Sequence, residues 1–201
     1  VALLISLVML YAYSRCLRSA VIPLLCSVIA VVWQLGLLKT LGYGLDPYSM
    51  LIPFLVFAIA VSHGVQIINA IIHESTGGAG KELAARRAFR ALYVPGMIAL
   101  VSDGVGFATL LVIEITVIQD LAIAASLGVA VIILTNLVLL PVLMSYAGVS
   151  RAAVNKQLHT EEHGKHPVWT LLSNFTLRPR ALALIALALG LTGLGLYQSQ
   201  G

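Results

Sequence analysis

The chain has 201 residues, of which 60% are hydrophobic and only 10% are charged. Soluble domains carry about 25% charged residues, so this composition excludes an ordinary soluble domain and indicates a membrane protein. The formal net charge is +4, but in a membrane protein the distribution of charge along the chain is more informative than its total.

Six apolar segments follow one another along the chain, and none alternates in the manner of a strand. We therefore predict an all-α fold, a polytopic membrane helix bundle whose spans cover residues 1–13, 21–38, 48–72, 94–113, 117–146 and 180–201. Between the third and fourth spans, residues 81–92 form an Arg-rich amphipathic pattern, which predicts a short helix lying at the lipid headgroups. Residues 147–179 are polar and predict a cytoplasmic linker. We expect residues 1–146 to form one bundle and residues 180–201 to begin a second half.

Basic residues cluster in alternate connections between the spans. They follow the first, third and fifth apolar segments, with Lys39 as the exception, whereas the acidic Asp46, Glu114 and Asp120 fall on the other side. The positive-inside rule then predicts that the basic connections are cytoplasmic. Both ends of the chain are expected on the opposite side of the membrane, and we expect further polypeptide before Val1 and after Gly201.

A polar seam runs through the third span, in the sequence AVSHGVQIINAIIH of residues Ala60–His73. At about 100° per residue, its polar side chains fall within about 60° of one another, and His63 lies beside them. These polar residues are Ser62, Gln66, Asn69 and His73. Ser62 and His63 lie near the middle of the span, where an ionisable group is costly and therefore indicates a functional site.

A second ionisable residue, Asp103, lies near the middle of the fourth span, at a depth similar to that of His63. Such a pair suits the binding and release of a proton, with hydrogen-bonding support from Ser62, Gln66 and Asn69. Two other interpretations stay open. His63 could bond only to a neighbouring helix, or the oxygens of the seam and of Asp103 could bind sodium.

No Gly-rich phosphate loop, nucleophile elbow or HExxH motif occurs in the sequence. We therefore expect no enzymatic activity, no cofactor, no metal site and no nucleic-acid partner. Work done by this protein should draw on an ion gradient or on a partner protein.

Three stretches together resemble the resistance-nodulation-division (RND) transporters. They are Gly42–Glu74 (GYGLDPYSMLIPFLVFAIAVSHGVQIINAIIHE), Pro95–Leu111 (PGMIALVSDGVGFATLL) and Leu121–Met144 with its LLPVLM ending. The branch most similar contains mycobacterial lipid exporters, Patched-like proteins and sterol-sensing domains. The resemblance implies a twelve-helix protein of two repeats, of which this chain covers the end of the second helix to the seventh. It also implies large periplasmic domains and a bacterial inner-membrane location.

The same resemblance implies an exporter of hydrophobic or amphiphilic molecules, driven by protons. Its partners would be membrane lipids, the exported substrate and an accessory protein in the periplasm or membrane. In the family, an acidic pair on the fourth helix relays protons, and those positions correspond here to Ser62 and His63. The acids are absent, so the relay would use His63 and Asp103. The alternative is a sterol-sensing-like lipid-binding domain that regulates without pumping.

Overall fold

The computed structural model of the chain describes residues 2–14, 17–44, 50–162 and 178–199, and within them it contains helices and no strand. The predicted all-α fold class is confirmed. A 3-10 turn at Leu110–Val112 and a π-helical segment at Ile133–Leu139 accompany the α-helices. The α-helices are α1 (Ala2–Ser14), α2 (Leu17–Thr40), α3 (Leu51–Thr76), α4 (Lys81–Thr109), α5 (Thr116–Ile132), α6 (Leu140–Ala147), α7 (Arg151–Glu162) and α8 (Arg178–Ser199).

Four segments among the described residues are long and apolar enough to cross a membrane: Leu17–Thr40, Leu51–Thr76, Lys81–Val112 and Thr116–Ala147. At about 1.5 Å per residue, each exceeds the roughly 30 Å of a bilayer's hydrocarbon core. They lie where the sequence predicts the second to fifth spans. The chain divides into two compact units, Val1–Leu158 and His159–Gly201, and α8 lies in the second.

Helix α4 is continuous where we expected two separate helices. We predicted an interfacial helix over residues 81–92 and a new span from residue 94, but one helix runs from Lys81 to Thr109 with Pro95 inside it. Because Pro95 has no N–H, the carbonyl of Ala91 lacks its usual helical hydrogen-bond donor. The helix nevertheless continues through this position. Ala84, Ala85 and Ala88 on this segment are buried against other helices, and its position at the lipid headgroups stays a prediction.

The connection after the fifth span contains a helix. Gly148 ends α6 with φ 67°, a left-handed conformation that favours glycine, and α7 begins three residues later. Ala153 of α7 is buried in the same cluster as Ala84. Part of the region predicted as a linker thus packs on the bundle, and residues 163–177 of that prediction lie outside the described residues.

Helix α3, like α2, contributes to each of the core clusters of the first unit. Its last turns, including Ile68 and Ile71, pack with the alanines of α4 and with Met144 of α6. Its first half, including Val56 and Ala60, packs with α2, α4 and α5. Partly buried residues such as Val61 pack against α1 and α2. The position of α3 determines which of its faces remains open.

Two glycines permit close contact between these helices. A Cβ at Gly64 would lie 3.0 Å from Cβ of Pro23 on α2, and a Cβ at Gly128 would collide with Cγ2 of Val56. Membrane helices pack through such small residues, because backbones can then approach closely enough for extensive van der Waals contact.

The π-helical segment joins α5 to α6 immediately before Pro141. The backbone N–H of Leu140 donates to the carbonyl of Thr135, a bond across five residues. Because Pro141 has no N–H and its ring crowds the carbonyl four residues earlier, a wider turn accommodates it. The wide turn sets the positions of Thr135 and Asn136, which are fully buried.

Candidate functional site

The polar seam of α3 lies on the side opposite the buried face of that helix. Ala60 and Gly64 are buried against neighbouring helices, and residues two positions away point to the other side of an α-helix. In agreement with this geometry, Ser62, Gln66 and Asn69 are exposed. The structure therefore presents the seam as an open polar surface along an apolar span.

His63 lies at the edge of this surface and is half-buried. Its Nδ1 is 3.0 Å from the carbonyl oxygen of Ile59, one turn earlier in α3. A carbonyl can only accept a hydrogen bond, so Nδ1 carries the proton in this contact. In the neutral ring Nε2 then holds a lone pair, and no described residue bonds to it. The imidazole is thus held in one tautomer and can accept a second proton.

Asp103 on α4 is exposed, and its carboxylate makes no hydrogen bond or ion pair within the described residues. At this level α4 packs against α5: the Ser126 hydroxyl donates to the carbonyl of Gly104 at 3.2 Å, and Gly104 faces Val129. No hydrogen bond or ion pair joins Asp103 to His63 in this structure. Cooperation between the two residues stays a prediction.

Gln66 and Asn69 line a cavity of about 470 Å³ between α3, α4 and α7. Its polar lining includes His73 and Glu74 from α3 and Gln157 from α7, while Ala88, Ala91 and Leu92 form the wall on α4. Gln66 and Asn69 of the seam therefore face a cavity of mixed polar and apolar lining, at the end of the bundle that carries Arg86, Arg87 and Arg90. Ser62 and His63 lie outside this cavity, towards the middle of the span.

Two fully buried amides were not among the residues selected from the sequence. Gln34 of α2 donates through Nε2 to the carbonyl of Ala124 at 2.9 Å, and Asn136 donates through Nδ2 to the carbonyl of Ala60 at 2.5 Å. The side-chain oxygens of both residues are buried with no hydrogen-bond partner. Lone polar residues within the apolar runs AVVWQLGLL and VIILTNLVLL were the available signal.

The part of the chain that the structure describes contains no group of three His, Cys, Asp or Glu side chains that could hold a metal ion. Among the described residues, the half-buried imidazole of His63 lies beside the open polar face of α3.

Comparison with known proteins identifies the family of this bundle. The model of the MMPL family matches residues 1–182. The chain belongs to the MMPL family. This membership confirms the resemblance to an RND-type membrane transporter that the three sequence stretches indicated.

This MMPL chain is also similar to a protein of Methanocaldococcus jannaschii described only as a membrane protein, MJ1562. The two are 26% identical over 138 residues, which are 69% of this chain and 36% of the relative. The chain thus corresponds to about a third of the length of that relative. No solved structure matches the chain significantly.

Proposed function

We propose that this MMPL chain is part of a secondary active transporter that exports hydrophobic or amphiphilic molecules and is driven by protons. The observation that carries the proposal is the open polar face of α3 with a titratable imidazole at mid-span. Membership of the MMPL family supports an RND-like transporter. In hydrocarbon such a face would be costly, so we propose that the second repeat implied by the RND resemblance covers it.

In this mechanism His63 takes up a proton on Nε2 while Nδ1–H stays bonded to Ile59. A proton gradient would load Nε2 on one side of the membrane and unload it on the other. Asp103 on α4, which no hydrogen bond or ion pair joins to His63 in this structure, supplies the compensating negative charge in this proposal. The cost of an unpaired charge in a low-dielectric region couples each protonation step to a rearrangement of the helices.

Ser62, Gln66 and Asn69 extend hydrogen-bonding groups from His63 towards the cavity at the end of α3. This arrangement supports a path for protons between His63 and the aqueous side. We propose a multi-pass location in the inner membrane, with substrate selection by parts of the protein outside this chain and an accessory protein as a partner.

The test uses the complete protein that contains this chain, reconstituted in vesicles with a pH-sensitive dye inside. His63→Gln and Asp103→Asn should each reduce substrate-dependent proton movement to background, whereas Glu114→Gln, at an exposed carboxylate that lines neither cavity, should leave it intact. Wild-type proton movement in both variants would overturn the proposal. Transport that requires sodium and moves no protons would show that sodium is the coupling ion. Lipid binding without any ion movement would favour a sterol-sensing-like regulatory domain.

A further inference from the structure

A groove of about 750 Å³ lies between the first three turns of α4 and the last turns of the π segment and α6. It is separate from the cavity lined by Gln66 and Asn69, because the two share no lining residue. Its cationic lining consists of Lys81, Arg86 and Arg90, and its apolar lining includes Phe89 and Val142.

The charge of the groove is positive. Glu82 is its one acidic lining residue, and it lies 3.4 Å from Arg86 in an exposed pair of small energetic value. Lys81 donates to the carbonyl of Tyr146 at 2.9 Å and keeps its full charge. The guanidinium of Arg90 makes no ion pair or hydrogen bond with any other described residue. The groove therefore has cationic donors available for an anion.

The apolar part of the lining continues towards the middle of the span. Val138 and Val142 present exposed side chains there, and Phe89 packs its ring against Tyr93 with centroids 5.1 Å apart. Cations at the end of the helices and apolar side chains further in reproduce the order of headgroup and acyl chain in a lipid. Basic pockets between membrane helices bind anionic headgroups in this way.

We infer that this groove binds one anionic phospholipid, with the headgroup phosphate at Arg86 and Arg90, one turn apart on α4, and an acyl chain along Val138 and Val142. The inference does not depend on the transport activity proposed above. A bound lipid would connect the start of α4 to the end of α6, two elements that flank the π segment.

The test measures lipid binding to the complete protein, purified in detergent, by native mass spectrometry with dioleoyl phosphatidylglycerol and dioleoyl phosphatidylcholine as probes. Each basic residue near an anionic headgroup contributes about 1 kcal/mol, so the double variant Arg86→Gln/Arg90→Gln should bind phosphatidylglycerol at least about tenfold more weakly. Binding of phosphatidylcholine should be unchanged.

The matched control is Arg87→Gln on the same helix. Arg87 lies outside the groove and pairs weakly with Glu74 at 3.5 Å, so its removal should not affect lipid binding. Val142→Trp, which fills the groove without changing its charge, should weaken phosphatidylglycerol binding. The double variant Arg86→Lys/Arg90→Lys, which keeps both positive charges, should retain most of the phosphatidylglycerol binding that Arg86→Gln/Arg90→Gln loses. The inference would be overturned if Arg87→Gln and Arg86→Gln/Arg90→Gln lost phosphatidylglycerol binding equally, or if neither lost any. Full competition by inorganic phosphate alone would also overturn it.

Discussion

The side-chain amide of Asn136 donates a hydrogen bond of 2.5 Å to the carbonyl oxygen of Ala60. This bond joins the π-helical segment to helix α3 only three residues before His63. Asn136 is held in position by the wide turn before Pro141, so a break in regular helix geometry on one span supports the candidate site on another.

Replacing Asn136 by alanine should destabilise the bundle by about 0.6–1.7 kcal/mol, the range found for hydrogen bonds between membrane helices. Unfolding in a detergent mixture with increasing denaturing detergent measures this change. Asn155→Ala is the matched control, because Asn155 is exposed on α7 and its removal should be nearly neutral. Equal stability of the two variants would show that the bond to Ala60 contributes nothing.

Gly128→Ala should destabilise the contact between α3 and α5. The added Cβ would collide with Cγ2 of Val56 and lie 2.9 Å from Nε2 of Gln34, the atom that bonds to Ala124. Overpacking of this kind costs about 1–3 kcal/mol, measurable in the same unfolding assay. Gly36→Ala, where no atom lies within 4 Å, is the control. Val56→Ala should partly rescue Gly128→Ala, and a failure to rescue would contradict the proposed collision.

The neutral imidazole of His63 should carry its proton on Nδ1. The carbonyl of Ile59, 3.0 Å away, accepts this proton and disfavours the other tautomer. Nitrogen chemical shifts of histidine-labelled protein in lipid bilayers distinguish the two tautomers, with His63→Gln used to assign the signal. A neutral ring protonated on Nε2 would contradict the prediction and remove Nε2 as the proton acceptor.

Lys81 connects the beginning of α4 to the end of α6 through the carbonyl of Tyr146, and Gly148 packs against its side chain. A cation at a helix C-terminus stabilises it by about 0.3–1 kcal/mol when exposed, and Lys81→Ala should lose about that much. Lys39 lies in the exposed last turn of α2, so Lys39→Ala tests whether a lysine near any helix C-terminus has the same effect. A loss that is equal in both variants would argue against a specific role for the Tyr146 contact.

The sequence by itself determined the class and the family of this protein. Long apolar runs with few charges predict membrane helices, because a backbone in hydrocarbon must satisfy its own hydrogen bonds. Run length predicted apolar segments that overlap the helices α2 and α3, and helix periodicity alone grouped Ser62, Gln66 and Asn69 on one face. These are local properties of the chain, so no knowledge of packing was required.

The tertiary structure alone decided which polar residues are buried and how α4 runs. Gln34 and Asn136 resemble other polar residues within apolar runs, and only the helices packed around them exclude them from the surface. Pro95 is typical of a helix start, yet the contacts of Ala84, Ala85 and Ala88 with α3 and α6 hold the earlier turns in the same helix. Such outcomes depend on contacts between residues distant in the chain, and helix packing determines them rather than local preference.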